Sequence, residues 1–549
     1  MILRQAGVFF SALMIYLHFI PVASAQERIS TKTAVQQVIR KAGRASVKAF
    51  AFDTLKQVQT GGPFSAVVVT ADGYLLTVAH ASRPGKTYKI SFPDGNSAIA
   101  VGMGRIDTNE QETLPDIGMM KIVTGGNWPF AEMGSSGNMM KGDPCMMIAY
   151  PESSGLPFPS IRYGLVTNPA DEHHFLVTDC TMEVGDSGGP IFDMDGRVIG
   201  LNSRCQVSES LNHHVPVDEY RKYWSSLIQP KNYTRYPVPD SNWTVNLPQR
   251  HHPLPPAVTL EGKLGSAVTL TSSRNGQPAS IAGTIWKSGK SGTWIISKLS
   301  ALGDTIYLQT GKRKSTRLLI AARNLENDLV LLKTVKRRVR AAGVEHAERH
   351  AGEPELGGFL YTPLASGQQK RGVTSTPAFD MPPRLSSGYF GAKLGEMEDM
   401  TGVAFTDPQG PAARAGILAG DKLLRINDAQ PASGEAFIRE LQKYHPHQTI
   451  TVSLRRGDSL LTRPVTLAER MDPPSKHPAE MYEGGKSRRR DGFTKVWFCD
   501  MHARSSDCGA PVYDDQGRFS GIVIARFSRT ATVVLHASEI DRWMANLQL

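Results

Sequence analysis

Three residues in the first half of the chain have the types that acyl-transfer chemistry requires. A serine hydroxyl is a poor nucleophile unless a base takes its proton, and the base needs an anion to orient it. Ser187 lies in Gly185-Asp186-Ser187-Gly188-Gly189-Pro190, where small residues permit a tight loop. The backbone N–H groups of Gly185 and Ser187 can then converge on one developing oxyanion. His80 ends the apolar run Tyr74-Leu75-Leu76-Thr77-Val78-Ala79, which places an imidazole at a strand rim. Asp116 opens Ile117-Gly118-Met119-Met120-Lys121, the start of a second buried strand. A lone histidine after a strand is more often structural, and an Asp-Ile pair alone means nothing. The serine motif is the specific part, and the three together define a candidate Ser-His-Asp array.

The elements that must position these groups read as short strands. Ala66–Thr70, Tyr74–Thr77 and Arg197–Leu201 are rich in β-branched residues and are separated by Asp-Gly pairs at 72–73, 94–95 and 195–196. Such spacing argues for an all-β barrel or sandwich with hairpin turns. Residues 229–258 are proline-rich and read as a linker. Beyond the linker the chain repeats itself. YLLTVAHAS at 74–82 aligns with WIISKLSAL at 294–302, DIGMMK at 116–121 with DLVLLK at 328–333, and the segment 178–200 around Ser187 with 499–521. In the second copy Ser300 stands where His80 does and Cys508 where Ser187 does, while Asp328 persists opposite Asp116. A cysteine nucleophile still needs a base, and His502 falls in the wrong segment. The second copy is therefore expected to be a scaffold, with Asp328 an ordinary turn or cap residue.

Residues 60–224, with the His…Asp…Ser order and the pattern TDxxxxxGxSGGP at 178–190, resemble a trypsin-like serine protease of the HtrA type. Asp186 departs from the pattern, since HtrA proteases usually carry Asn there. The resemblance implies two six-stranded barrels with the triad in the cleft between them. It also implies a primary pocket lined by Thr181, Met182, Leu201, Asn202 and Ser203. None of these is an acid, so small or medium apolar residues are expected before the scissile bond, with Glu183 nearby as a counter-indication. The insertion carrying GPAARAGI at 410–417 and GDKLLRIN at 420–427 resembles a PDZ domain. By that resemblance Tyr389, Phe390, Gly391 and Ala392 form a carboxylate-binding loop beside an open strand edge that accepts an extended or C-terminal peptide.

The fold class expected is thus mainly β: two trypsin-like double β-barrel domains, the second interrupted by a PDZ domain. The boundaries are 26–228 for the first, 229–258 for the linker, 259–384 with 471–549 for the degenerate copy, and 385–470 for the PDZ insertion. A length of 549 residues suits three domains. The net charge of +11 is spread along the chain, and its one dense run, Lys486 to Arg490, reads as a solvated loop rather than a nucleic-acid patch. Residues 1–25 read as a signal peptide, with Arg4, an apolar stretch Val8–Ile20 and the cleavage site Ala23-Ser24-Ala25. That predicts export, periplasmic or extracellular, with no membrane span after cleavage. In such a compartment Cys180 and Cys205 are candidates for a disulfide bracing the pocket, and Cys499 with Cys508 for a small loop, leaving Cys145 as a buried inert thiol. No metal cluster, P-loop or dinucleotide fingerprint is present, so no cofactor is expected. The reading is an exported serine endopeptidase with PDZ-mediated substrate capture, suited to protein quality control. The alternatives are a latent protease serving as a peptide-binding adaptor, or a narrow processing protease.

Overall fold

The computed structural model describes residues 31–547 apart from 109–115, 246, 248–253, 255–259, 261–262, 275–276, 291, 310–314, 335–338, 340–342, 351, 398–399 and 471–474. Residues 1–25, expected to be a signal peptide, lie outside the described residues.

The described chain opens on α1 (Thr31–Ala42), which buries Ala34, Val35, Val38 and Ala42 along one stripe. Six strands follow: β1 (Ser46–Asp53), β2 (Val58–Val68), β3 (Tyr74–Thr77), β4 (Thr87–Ser91), β5 (Ser97–Asp107) and β6 (Asp116–Ile122). They run in the order β5-β4-β1-β2-β3-β6, and pairing of β5 with β6 joins the two ends. Asn232–Tyr233, in the expected linker, adds a short parallel strand to β5. The next six strands close a second barrel in the order β10-β11-β12-β9-β8-β7. They are β7 (Pro144–Ala149), β8 (Ser160–Asn168), β9 (Leu176–Thr178), β10 (Pro190–Phe192), β11 (Val198–Cys205) and β12 (Asn212–Pro216).

In the second half, six strands from Ala267–Arg274 to Leu329–Thr334 close another barrel. The remaining seven form a sheet that stays open, with Gln369–Val373 and Phe379–Met381 at its edges. Between them a five-stranded sheet, from Ala392–Met397 to Ser459–Thr466, folds around its own core of Phe390, Val403, Ile426, Phe437 and Val452. Its helix Gly434–Leu441 starts at Ser433, whose hydroxyl accepts the N–H of Ala436.

The two halves pack on each other through equivalent positions of the repeat. Thr181 Oγ1 lies 2.5 Å from the ring of His502, its counterpart 321 residues on. Ser208 O accepts from Arg529, again 321 residues away. The amides of Tyr163 and Val373, from facing edges of the two halves, both donate to the Asp500 carboxylate. In a two-fold interface residues near the axis meet their own counterparts, so the duplicated halves dock as an intrachain pseudo-dimer.

Candidate active site

Strand β3 delivers His80 to the cleft, and β6 starts on Asp116 beside it because Thr77 of β3 pairs with Gly118 of β6. Asp116 holds His80 twice. Its Oδ1 accepts the His80 backbone N–H at 3.0 Å, and its Oδ2 lies 2.9 Å from Nδ1. The Ser203 hydroxyl, at the end of β11, donates to the same Oδ2 at 2.6 Å. Partial burial pulls the His80 pKa down, but the hydrogen bond and charge of Asp116 outweigh it and hold it above the ordinary value. Burial pushes Asp116 the opposite way, yet His80 and the Ser203 hydroxyl keep its carboxyl below the usual range. This pair is therefore an ionised carboxylate fixing one imidazole tautomer.

Ser187 sits in the turn between β9 and β10. Its carbonyl accepts the Ser65 N–H at 2.9 Å, which pins the turn to the first barrel. Gly188 follows with φ +78°, and a Cβ there would stand 2.1 Å from Thr77 Oγ1, so only glycine fits. Among the described residues the N–H groups of Gly185 and Ser187 donate to no acceptor. His80, Gly185 and Ser187 border one cavity of about 700 Å³.

Asp186 points away from that cavity into the protein. Its Oδ2 accepts from Arg162 of β8 at 2.7 Å and from the Glu183 N–H at 2.9 Å, and both charged side chains are buried. Burial drives the Asp186 carboxyl up to about 6 despite the attraction of Arg162. Arg162 thus supplies internally the cation that this aspartate needs, and it was not singled out in the sequence. Nothing in a local motif links the two, because Arg162 lies on β8 and Asp186 in the turn 24 residues further on.

The expected pocket residues divide. Met182 and Ser203 border the cavity, together with Glu183, Val184, Arg204 and Cys205. Thr181, Leu201 and Asn202 stand behind it. Thr181 turns to His502, Leu201 enters the core, and Asn202 Nδ2 ties the Asp186 carbonyl. The carboxylate of Glu183 is engaged by the Ser153 hydroxyl and the Thr530 N–H, which removes it as a free acid in the cleft. The Cys180–Cys205 bridge is not formed. All five thiols are free, and Cys180 instead faces buried Cys145 at 3.9 Å. Cys499 and Cys508 are likewise unbridged and buried.

The second copy keeps the frame and loses the chemistry. Ser300 N–H donates to Asp328 Oδ1 at 2.7 Å, the bond His80 makes to Asp116. Asp328 is more than a turn residue, since buried Lys298 and the Ser300 hydroxyl both reach its Oδ2 at 2.6 Å. Burial raises the Cys508 pKa and disfavours the thiolate. The basic run is a solvated loop only in part, with Lys486 and Arg488 exposed. Ser487 and Arg490 are buried, and the Ser487 hydroxyl is 3.5 Å from Cys508 Sγ.

In the five-stranded insertion, Phe390 packs on Phe437, and Gly391 turns with φ +81°. Among the described residues the N–H groups of Phe390 and Gly391 have no acceptor. Tyr389 is different, because its N–H is spent on Ala468 O at 2.7 Å. Strand Ala392–Met397 is an edge, as the expected groove requires.

Comparison with known proteins places both folds. Residues 64–201 match the trypsin-like peptidase domain family, and residues 388–467 match the PDZ domain family. About 170 residues of the chain are similar to HtrA-type serine proteases. The chain is 26% identical over 172 residues to bovine (Bos taurus) "Serine protease HTRA2, mitochondrial", covering 29% of this chain and 35% of that protein. It is 30% identical over 169 residues to "Serine protease HTRA1" of Xenopus tropicalis, covering 29% and 35%. A "Probable periplasmic serine endoprotease DegP-like" from Halomonas elongata is 30% identical over 164 residues, covering 28% and 32%. The chain spans about a third of the length of these curated relatives. No helix among the described residues is long and apolar enough to cross a membrane.

Proposed function

We propose that this HtrA-like chain is an exported serine endopeptidase that hydrolyses protein substrates. The observation that carries the reading is the hydrogen-bonded set Ser203–Asp116–His80 facing the same cavity as Ser187. His80 takes the Ser187 proton as the hydroxyl attacks the peptide carbonyl, then returns it to the leaving amine. Asp116 holds the tautomer and stabilises the imidazolium. The free N–H groups of Gly185 and Ser187 receive the oxyanion.

The division of labour follows the domain boundaries 26–228, 229–258, 259–384 with 471–549, and 385–470. The first unit is catalytic, the second a degenerate protease scaffold, and the insertion a module that captures C-terminal or extended segments on its open edge. Such capture suits clearance of unfolded proteins outside the cytoplasm. The likeness to a periplasmic DegP-like protease supports that setting.

Fluorophosphonate labelling tests the reading on the wild type and on Ser187→Ala and Cys508→Ala variants. Labelling should vanish with Ser187→Ala alone. A folded wild type that takes no label would favour a peptide-binding adaptor instead. Hydrolysis of casein separates a quality-control enzyme from a narrow processing protease.

A further inference from the structure

The cavity that holds His80 and Ser187 is not built by the first unit alone. One wall comes from a segment nearly 300 residues on, where His477, Pro478 and Ala479 line the same cavity as Met182, Val184 and Cys205. This segment follows the PDZ sheet in the chain and precedes strand Phe493–Cys499. It is a fixed turn rather than a loose passage. His477 Nδ1 accepts the Ala479 N–H at 3.1 Å, His477 O accepts Glu480 N–H, and Pro478 O accepts Met481 N–H.

One buried guanidinium anchors it beside the cavity. Arg529 is fully buried, and its NH1 donates to Pro478 O and Met481 O, each at 2.9 Å. The same group donates to Gln206 O, Val207 O and Ser208 O, at 2.8, 3.2 and 2.9 Å. Residues 206–208 continue directly from Cys205 at the edge of the cavity. One side chain therefore joins the wall to the loop beside it, with the fork geometry that lysine lacks. Arg526 reinforces the clasp through Glu209 Oε1 at 2.7 Å and lies over the Tyr482 ring. Farther along, the segment docks in the second copy. Ser487 N–H donates to Arg526 O, and the Arg526 N–H returns a bond to the Ser487 hydroxyl. Arg526 is the repeat counterpart of Cys205, so the one segment passes corresponding edges of both clefts in turn.

We propose that His477, Pro478 and Ala479 are a specificity-determining wall of the substrate cleft, with Arg529 as its positioning residue. The inference rests on the endopeptidase reading above. The wall narrows the cleft on the Cys205 side with a rigid surface of one imidazole, one proline ring and one small residue. It selects substrates with small side chains there and rejects bulky ones by sterics. Specificity in this chain is then a property of the fused pair of halves rather than of the catalytic unit.

The test compares full-length wild type with Pro478→Gly, His477→Ala and Arg529→Met. Each is given matched peptide pairs that place Ala or Phe at successive positions before the scissile bond, with fluorophosphonate labelling of Ser187 run in parallel. At the position that meets the wall, the Ala-over-Phe preference in kcat/KM should fall tenfold or more in Pro478→Gly and Arg529→Met. The change should lie in KM for the Phe peptide, whereas a general loss of structure would depress kcat for both peptides alike. Preferences within twofold of wild type at every position, in variants that still label, would overturn the wall. Should Arg529→Met not fold, Pro478→Gly and His477→Ala decide the question by the same criterion. A wild type that neither labels nor cleaves would fail the endopeptidase reading itself, and the wall with it.

Discussion

Replacing Arg162 by methionine isolates the ion pair beneath the nucleophile. Arg162 and Asp186 are 2.7 Å apart, with side-chain exposures of 1% and 0%. Arg162 and the Glu183 N–H both bond Asp186 Oδ2, and Asp186 Oδ1 has no hydrogen-bond partner. Removing one member of a buried pair typically costs about 3–5 kcal/mol, because the other charge is left uncompensated. With a urea slope of about 2 kcal/mol per M, Arg162→Met should lose activity at a midpoint about 2 M lower than wild type. The loss should also reach catalysis below that midpoint. Asp186 holds its turn through Glu183 and Asn202, and the free N–H groups of Gly185 and Ser187 flank it. Misaiming one oxyanion donor lowers kcat by about 100-fold. Arg162→Met/Asp186→Asn should recover most of both losses, since the amide keeps an oxygen for the Glu183 N–H and removes the stranded charge. A single variant destabilised by less than about 1 kcal/mol, the size of an ordinary hydrogen bond, would refute the account. So would a double variant no better than the single.

Three shorter predictions follow from the same geometry. The acid limb of kcat/KM should lie above the ordinary imidazole value of 6.5, because Asp116 raises His80 and the base must be neutral to act. The contribution of this pair to stability runs the other way: it is full below about 6.5 and fades as pH rises through the raised pKa. An acid limb below 6.5 in a pH–rate profile would contradict both statements. Ser203→Ala removes a hydroxyl donor to the Asp116 carboxylate, a bond worth about 1.5–3 kcal/mol, and should lower kcat/KM by about tenfold or more. Steady-state kinetics at fixed pH checks it, and an unchanged kcat/KM would remove Ser203 from the array. Gly391→Val forces a β-branched residue to φ +81° and brings its Cβ to 2.9 Å from Gly410, so it should abolish peptide binding at the PDZ edge. Fluorescence polarisation with free-acid and C-terminally amidated peptides reads this. Equal binding of the two forms by wild type would exclude a carboxylate-binding loop.

What could be read from the sequence was whatever depends on short spacing. The strand that ends on His80, the strand that starts on Asp116 and the small residues around Ser187 each signal their own conformation. The repeat and the PDZ strings likewise declare themselves within a few tens of residues. The misses share one cause, which is contact between segments far apart in the chain, within one half or between the docked halves. Thr181 reads as a pocket residue within its own copy, but the structure turns it to His502. Lys486–Arg490 reads as a charged loop because the burial of Ser487 and Arg490 depends on the second cleft that receives Ser487. The pairing of Cys180 with Cys205 assumed that flanking the nucleophile in sequence means facing across it, whereas β7 carries Cys145 to within 3.9 Å of Cys180.

Some of this lay in the repeat after all. A chain that duplicates a fold has an available way to bury the exposed edges of both copies, which is to dock them about a two-fold axis. Residues near that axis must then meet their own counterparts. Thr181 with His502, and Ser208 with Arg529, satisfy that rule at a constant separation of 321 residues. The same docking accounts for the uneven loss of chemistry. Ser300 and Asp328 keep the backbone bond that anchors the barrel rim, so the scaffold persists. The base and the exposed nucleophile could be given up, because the second copy was free to spend its cleft on Ser487 and its loops on Arg526 and Arg529. Selection for holding the first active site would preserve those arginines while letting the second copy lose its own.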